Sequence, residues 1–403
     1  MNLVTLNIDS IPLEEALPFV LRGADGTLLA NKGYVIRNRG ELDAMVSRGR
    51  KLCIDPEESG DSHRAYLAQL QKMLLSEQPL GQFASLKMAA HVGGDRGRVL
   101  DTDKYTADWS ALQLRATQLL RAPQMGDFES RFRALHEELA RYAVQAPDAT
   151  LLALIYLSAH ETRMYSATHA MLVSCVCMVV ARETLRWSEE RVLQAGCAAL
   201  SMNIAMTELQ DQLAQQIQPL AAQQVAAVEN HAARSEALLR DLGVTDPVWL
   251  EAVRCHHHRT PGALAQKTAG QQLARLVQRA DIFAARLAPR VARLPMPATA
   301  AMQASYYDET NQVDEVGAAL VKALGVYPPG AFVRLATQEV AVVLRRGPTA
   351  TTPRVAVVMN REGMPTGELI PRDTSQPTWK IAGVVARKDV RVQIPLQRLL
   401  ALV

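Results

Sequence analysis

Residues 151 to 324 restrict the fold of this chain more than any other stretch, because helix signals follow one another there almost without interruption. Ser188 stands as an N-cap before Glu189 and Glu190, whose charges suit the positive end of a helix. Gly243 closes one helix, and Asp246-Pro247 opens the next with a capping carboxylate and a proline at the first helical position. Upstream, Phe128, Phe132, Leu135 and Leu139 recur four, three and four residues apart, one buried stripe within a helical stretch from Trp109 to Val144. Asp281 lies at helical spacing with Ala274, Val277 and Ala284, so its carboxylate leaves an apolar face and needs a partner. That partner is a hydrogen bond or ion pair to His169 or an arginine. The expected fold class is mainly α.

The ends of the chain read differently. Residues 1–55 form a small α/β or mostly β module: Leu17–Arg22 and Leu28-Leu29 flank Ala24-Asp25-Gly26, a hairpin signal, and Glu41–Arg48 has helical spacing. Residues 56–125 are linker and lead-in helices, with a helical pattern over Ala65–Leu75 and a glycine-rich loop over His91–Arg98. An all-helical domain is expected over 126–330. A small C-terminal β unit follows over 331–403, with strands at Phe332–Leu335, Glu339–Leu344, Arg354–Met359 and Val390–Ile394.

At 403 residues the chain has room for two or three domains, and a net charge of +3 from scattered Lys and Arg argues against DNA as a partner. The five cysteines show no paired framework, and Cys175 and Cys177 point about 200° apart on a helix, so a metal site on both is not expected. No basic segment followed by an apolar one opens the chain, and the apolar runs, Ala170–Ala181 included, read as too short or too interrupted to span a bilayer. A cytoplasmic protein without a membrane span is expected. Phosphate-binding loops, dinucleotide fingerprints and nucleophile elbows are absent from the sequence.

Five motifs fall in one order. They are Tyr165-Ser-Ala-Thr-His169-Ala, then Ala198-Ala-Leu-Ser-Met202-Asn203-Ile-Ala-Met206, Glu229-Asn230-His231, Arg254-Cys255-His256-His257, and Arg279-Ala280-Asp281-Ile-Phe283. Together they resemble the helical core of the bacterial HD-GYP phosphodiesterases, whose second motif reads Ala-Ala-Leu-Leu-His-Asp-Ile-Gly-Lys. Met202 stands where that family has its His, Asn203 where it has its Asp, and His256-His257-His258-Arg259-Thr260-Pro261-Gly262 lacks the Gly-Tyr-Pro. The resemblance implies an HD-GYP-like all-helical core domain and metal positions at His169, His231, His256, His257 and Asp281. It also implies phosphate-facing arginines at Arg290 and Arg293, in Ala288-Pro-Arg290-Val-Ala-Arg293.

Two-metal hydrolysis of a phosphodiester needs ions about 3.5–4 Å apart, held by a bridging carboxylate. Asn203 is neutral and cannot supply that anion, and Met202 offers only a thioether. The expectation is a catalytically degenerate signalling protein of cyclic di-GMP pathways that binds a protein, such as a diguanylate cyclase, or the nucleotide. Its alternative is an active cyclic di-GMP phosphodiesterase with a reduced ligand set. No cofactor is expected beyond a residual divalent ion, Fe, Mn or Zn, for which His231, His256 and His257 are the best remaining ligands. Adjacent helical residues point about 100° apart, so His256 and His257 taken alone read as a surface pair. Nucleotide binding is expected to be weak and stronger near pH 6 than pH 8, where a protonated histidine would screen Asp281. A receptor barrel in the β unit is not expected, since Leu344-Arg345-Arg346-Gly347 lacks the second half of such a motif.

Overall fold

A computed structural model describes residues 4, 5, 11, 13, 14, 17, 20–30, 34–49, 51–54 and 107–403, save 161, 292, 294 and 391. The helix expected over Ala65–Leu75 and the loop expected over His91–Arg98 lie outside the described residues. The chain divides into two units, residues 1–100 and 101–403.

In the first unit, β1 (Val4–Thr5), β2 (Leu21–Gly23), β3 (Leu28–Ala30) and β4 (Leu52–Ile54) form an antiparallel sheet in the order β1-β4-β2-β3, joined by α1 (Arg39–Gly49). The β2–β3 hairpin turns at Asp25-Gly26, where Gly26 takes φ +83° and donates its N–H to the Gly23 carbonyl at 3.0 Å. Leu17, Leu21, Ile36, Leu42 and Leu52 fill its core.

The second unit opens with α2 (Trp109–Arg121), α3 (Phe128–Gln145), α4 (Pro147–His160), α5 (Tyr165–Glu183) and α6 (Glu189–Ser201). It continues through α7 (Thr207–Gln215), α8 (Ala222–Glu229), α9 (His231–Asp241), α10 (Pro247–Cys255), α11 (Ala269–Leu287), α12 (Ala298–Tyr306) and α13 (Glu315–Leu324). Capping side chains start many of these: Asp108, Asp127, Ser188, Asp246, Thr268 and Asp314 each accept a first-turn N–H. The fold is mainly α, as the periodicity indicates.

α5 is the axis, packed against α4, α6 and α11. At 19 residues it is long and apolar enough by composition to cross a bilayer, which corrects the reading that no apolar run is. Yet 94% of its apolar window is buried inside the fold. Neighbouring helices already use the surface that lipid would need.

Beyond α13 the chain forms β5 (Phe332–Leu335), β6 (Val340–Arg345), β7 (Arg354–Met359), β8 (Pro365–Asp373) and β9 (Ile381–Val385), antiparallel in the order β8-β7-β6-β5-β9, before the short α14 (Leu396–Leu400). Two expectations are corrected here. β8 carries Pro365, Gly367 and Pro371, which disguise a strand, and it is tolerated because it lies at an edge. The described residues of the expected Val390–Ile394 strand form none; Val390 and Ile394 instead fill the apolar core under the sheet together with Leu152 of α4. Arg346 fastens the sheet to the helices: its backbone N–H and Nε donate to Asp148 Oδ1 at 3.0 and 2.7 Å, and its guanidinium also reaches Glu183 at 2.5 Å and the Ala323 carbonyl at 2.8 Å. That arginine is spent on structure.

Gly317 lets α13 begin against the end of α12, since a Cβ there would lie 2.3 Å from the Ser305 carbonyl oxygen and 2.8 Å from that of Tyr306. Gly317→Ala is therefore expected to lower stability by about 1–3 kcal/mol. Urea unfolding reads this directly; an unchanged midpoint would mean that the two helices part without cost.

Candidate functional site

Three histidines meet where α9 begins and α10 ends. His231 is the first residue of α9, and α10 stops at Cys255, so His256 and His257 occupy the turn beyond it and not a helix. The divergence expected of helical neighbours is thereby removed: their ring centroids lie 4.1 Å apart. His256 Nε2 and His257 Nε2 sit 3.1 and 3.2 Å from His231 Nε2, and the three ligand atoms lie within 4.8 Å of one another. These spacings are close to the roughly 3.3 Å edge of a tetrahedron built on metal–nitrogen bonds of ~2.0–2.1 Å.

The backbone fixes the tautomers. His231 Nδ1–H donates to the Val228 carbonyl at 2.5 Å and His256 Nδ1–H to the Val253 carbonyl at 2.6 Å. Both rings then present a bare Nε2 lone pair to the other, an arrangement that a shared cation relieves. Burial pushes His256 down to about 3, helped by His257, and burial also lowers His231. Neutral imidazoles are the form that ligates metal. His231 and His256 are buried while His257 is exposed, so the cluster has one open side.

The second grouping is a pair. His169 on α5 donates from Nε2 to Asp281 Oδ1 on α11 at 2.7 Å, with the His169 side chain 2% and that of Asp281 17% exposed. Burial pushes the Asp281 carboxyl up, but the His169 hydrogen bond and charge, with the nearby His256 and His257, outweigh it and hold the group at about 2. His169 Nδ1 is buried without a partner. The electrostatic coupling of Asp281 to His256 and His257 shows that pair and triad lie in one neighbourhood.

The remaining expected positions fall around these groups. Met202, 1% exposed, ends α6 and packs in the main core. Asn203 follows it with a buried Oδ1 that has no partner. Arg290 donates to the Tyr165 hydroxyl at 3.1 Å and lies over that ring at 5.4 Å. Tyr165 in turn stacks on His169, with centroids 5.8 Å apart, so Arg290 reaches the pair through a tyrosine that sequence reasoning gave no role. Its signal was present: Tyr165 precedes His169 by four residues, one helical turn. Arg293 is exposed and turned back to the Ala285 carbonyl, with its backbone bridged to Arg290; it does not join the cluster.

Past the triad, Lys267 Nζ donates to three successive carbonyls, those of Thr260, Pro261 and Gly262, at 2.6, 2.9 and 2.8 Å. One ammonium thus gathers the loop that leads from the histidines to α11.

No family model matches this chain. Among curated proteins it is similar to the cyclic di-GMP phosphodiesterase PA4108 of Pseudomonas aeruginosa, 28% identical over 229 residues, which are 55% of this chain and 54% of that protein. The chain thus spans about half the length of the curated relative it matches. Among solved structures it is similar to Bd1817, a HDG"Y"P protein from Bdellovibrio bacteriovorus, at a TM-score of 0.40 and 14% identity, over 79% of this chain and 98% of that one.

Proposed function

We propose that this chain, which belongs to the HD-GYP family, is a catalytically degenerate member that serves cyclic di-GMP signalling by binding and not by hydrolysis. One observation carries the reading: the positions that would hold and bridge two ions carry side chains that cannot do so. The bridging position holds Asn203, whose amide has no charge to hold two cations together. The preceding ligand position is Met202, sunk in the core. An active phosphodiesterase with a reduced ligand set is disfavoured on the same grounds.

His231, His256 and His257 fit a single divalent cation of the zinc type, with two of the three ring orientations set by backbone carbonyls. Such an ion, when bound, polarises a coordinated water or phosphate oxygen. The chain's own contribution is to bring the three imidazoles together, to favour the neutral form of His231 and His256 by burial, and to leave the His257 side open.

A protein partner is favoured over the nucleotide. Asp281, ionised down to about pH 2, repels a phosphate entering from the open side. The gain in nucleotide binding expected near pH 6 also loses its basis in one histidine. Burial keeps His256, at about 3, neutral at that pH, and burial lowers His231 as well. The partner, a diguanylate cyclase or another signalling protein, would meet the surface around residues 260–272.

Purified protein is expected to hold about one equivalent of zinc-like metal per chain and to hydrolyse cyclic di-GMP no faster than background with Fe²⁺ or Mn²⁺. His257→Ala, at an exposed site, is expected to weaken metal retention by at least about 100-fold with the circular dichroism melt unchanged. Hydrolysis at rates normal for enzymes, about 1 s⁻¹ or faster, would falsify the binding role.

A further inference from the structure

No residue of α8 is buried. An eight-residue helix is too short to sustain itself in water, so neighbours must hold it. Its visible fastening is an amide clasp: Gln216 Nε2 donates to Gln224 Oε1 at 3.1 Å, Gln224 Nε2 to Gln216 Oε1 at 2.8 Å, and Ala221 N–H to Gln224 Oε1 at 3.0 Å. Residues 217–223 are exposed throughout, and Ile217, Leu220 and Val225 are 68%, 49% and 39% exposed. From Gln212 to Val228 there is no charged residue, although charged residues make up 21% of the chain, and six of these seventeen positions are glutamine.

We propose that this uncharged face, α8 with the loop before it, is a contact surface for a second copy of this chain. A charged partner finds nothing here to pair with. Gln218 and Gln223, the exposed glutamines of this face outside the clasp, both donate and accept, so two identical faces related by a two-fold axis satisfy each other's amides without any second chemistry. The exposed aliphatic residues supply the apolar centre that such a contact needs. Copies with net charge +3 repel least where neither presents a charge. The contact bears on the histidine triad as well, because α8 ends just before His231 and its Val228 carbonyl orients that ring.

Sedimentation velocity on the full chain, from about 1 to about 200 µM, tests this. A concentration-dependent monomer–dimer equilibrium is expected. Ile217→Lys with Val225→Lys should weaken it by at least about 30-fold, since each charge meets its like across the two-fold. Leu114→Lys, at a residue 54% exposed on α2, should leave it unchanged. All three chains must give the same circular dichroism melt, and a double variant that unfolds is replaced by Val225→Glu alone. A chain that stays monomeric throughout overturns the proposal and leaves the face to another protein or to the rest of its own chain. A dimer indifferent to the paired lysines overturns it too, by placing the interface elsewhere.

Discussion

Lowering the pH from 7.5 to 4 is expected to cost the second unit about 3 kcal/mol through His136 alone. The His136 side chain is 5% exposed, its Nε2 has no partner, and burial pushes it down from 6.5 to about 4. The unfolded chain takes up its proton as pH falls through 6.5, whereas the folded chain resists until about 4. Stability is therefore full above 6.5, falls between those values, and levels off below. His231 and His256 act in the same direction. His136→Leu, which keeps an apolar group against Phe132, should flatten the wild-type slope by that amount in urea melts at the two pH values. An undiminished slope in the variant would show that burial of His136 is not its source.

Arg346→Ala is expected to destabilise the unit by about 2–3 kcal/mol. The loss leaves Asp148, 24% exposed, without its guanidinium. It is discounted from the ~3–5 kcal/mol of a fully buried pair because Glu183 keeps 38% of its side chain in solvent. Adding Asp148→Asn removes the orphaned charge and should recover part of the loss. If the double variant is no more stable than the single one, the carboxylate was never the source of the penalty.

Much of the helical fold was legible because capping is local chemistry: Ser188 and Asp246 sit at helix starts where their side chains can reach the first free N–H groups. The sheet was less so. Pro365 and Pro371 argue against a strand unless it is known to be an edge, and Val390–Ile394 has strand composition while its described residues take no ladder partner. Sheet order is a long-range fact that no window of sequence contains. The His169–Asp281 pair was foreseen as one of two options, since an apolar helix face demands a partner for its carboxylate. Convergence of His256 and His257 was hidden, because it depends on α10 ending one residue earlier than helical phase would need to separate them.

The tripod of Lys267 has a consequence for how such a protein can change over generations. Recognition loops held by packing drag the core with them when they are rebuilt. Here three carbonyls of the loop are gathered by one side chain, with Leu264 N–H held separately by Glu315, while His256 is oriented by the carbonyl of Val253. A single substitution at Lys267 can therefore release and re-form the loop without disturbing the imidazoles beside it. The loop and the histidine cluster are free to drift apart in this chain, one residue at a time.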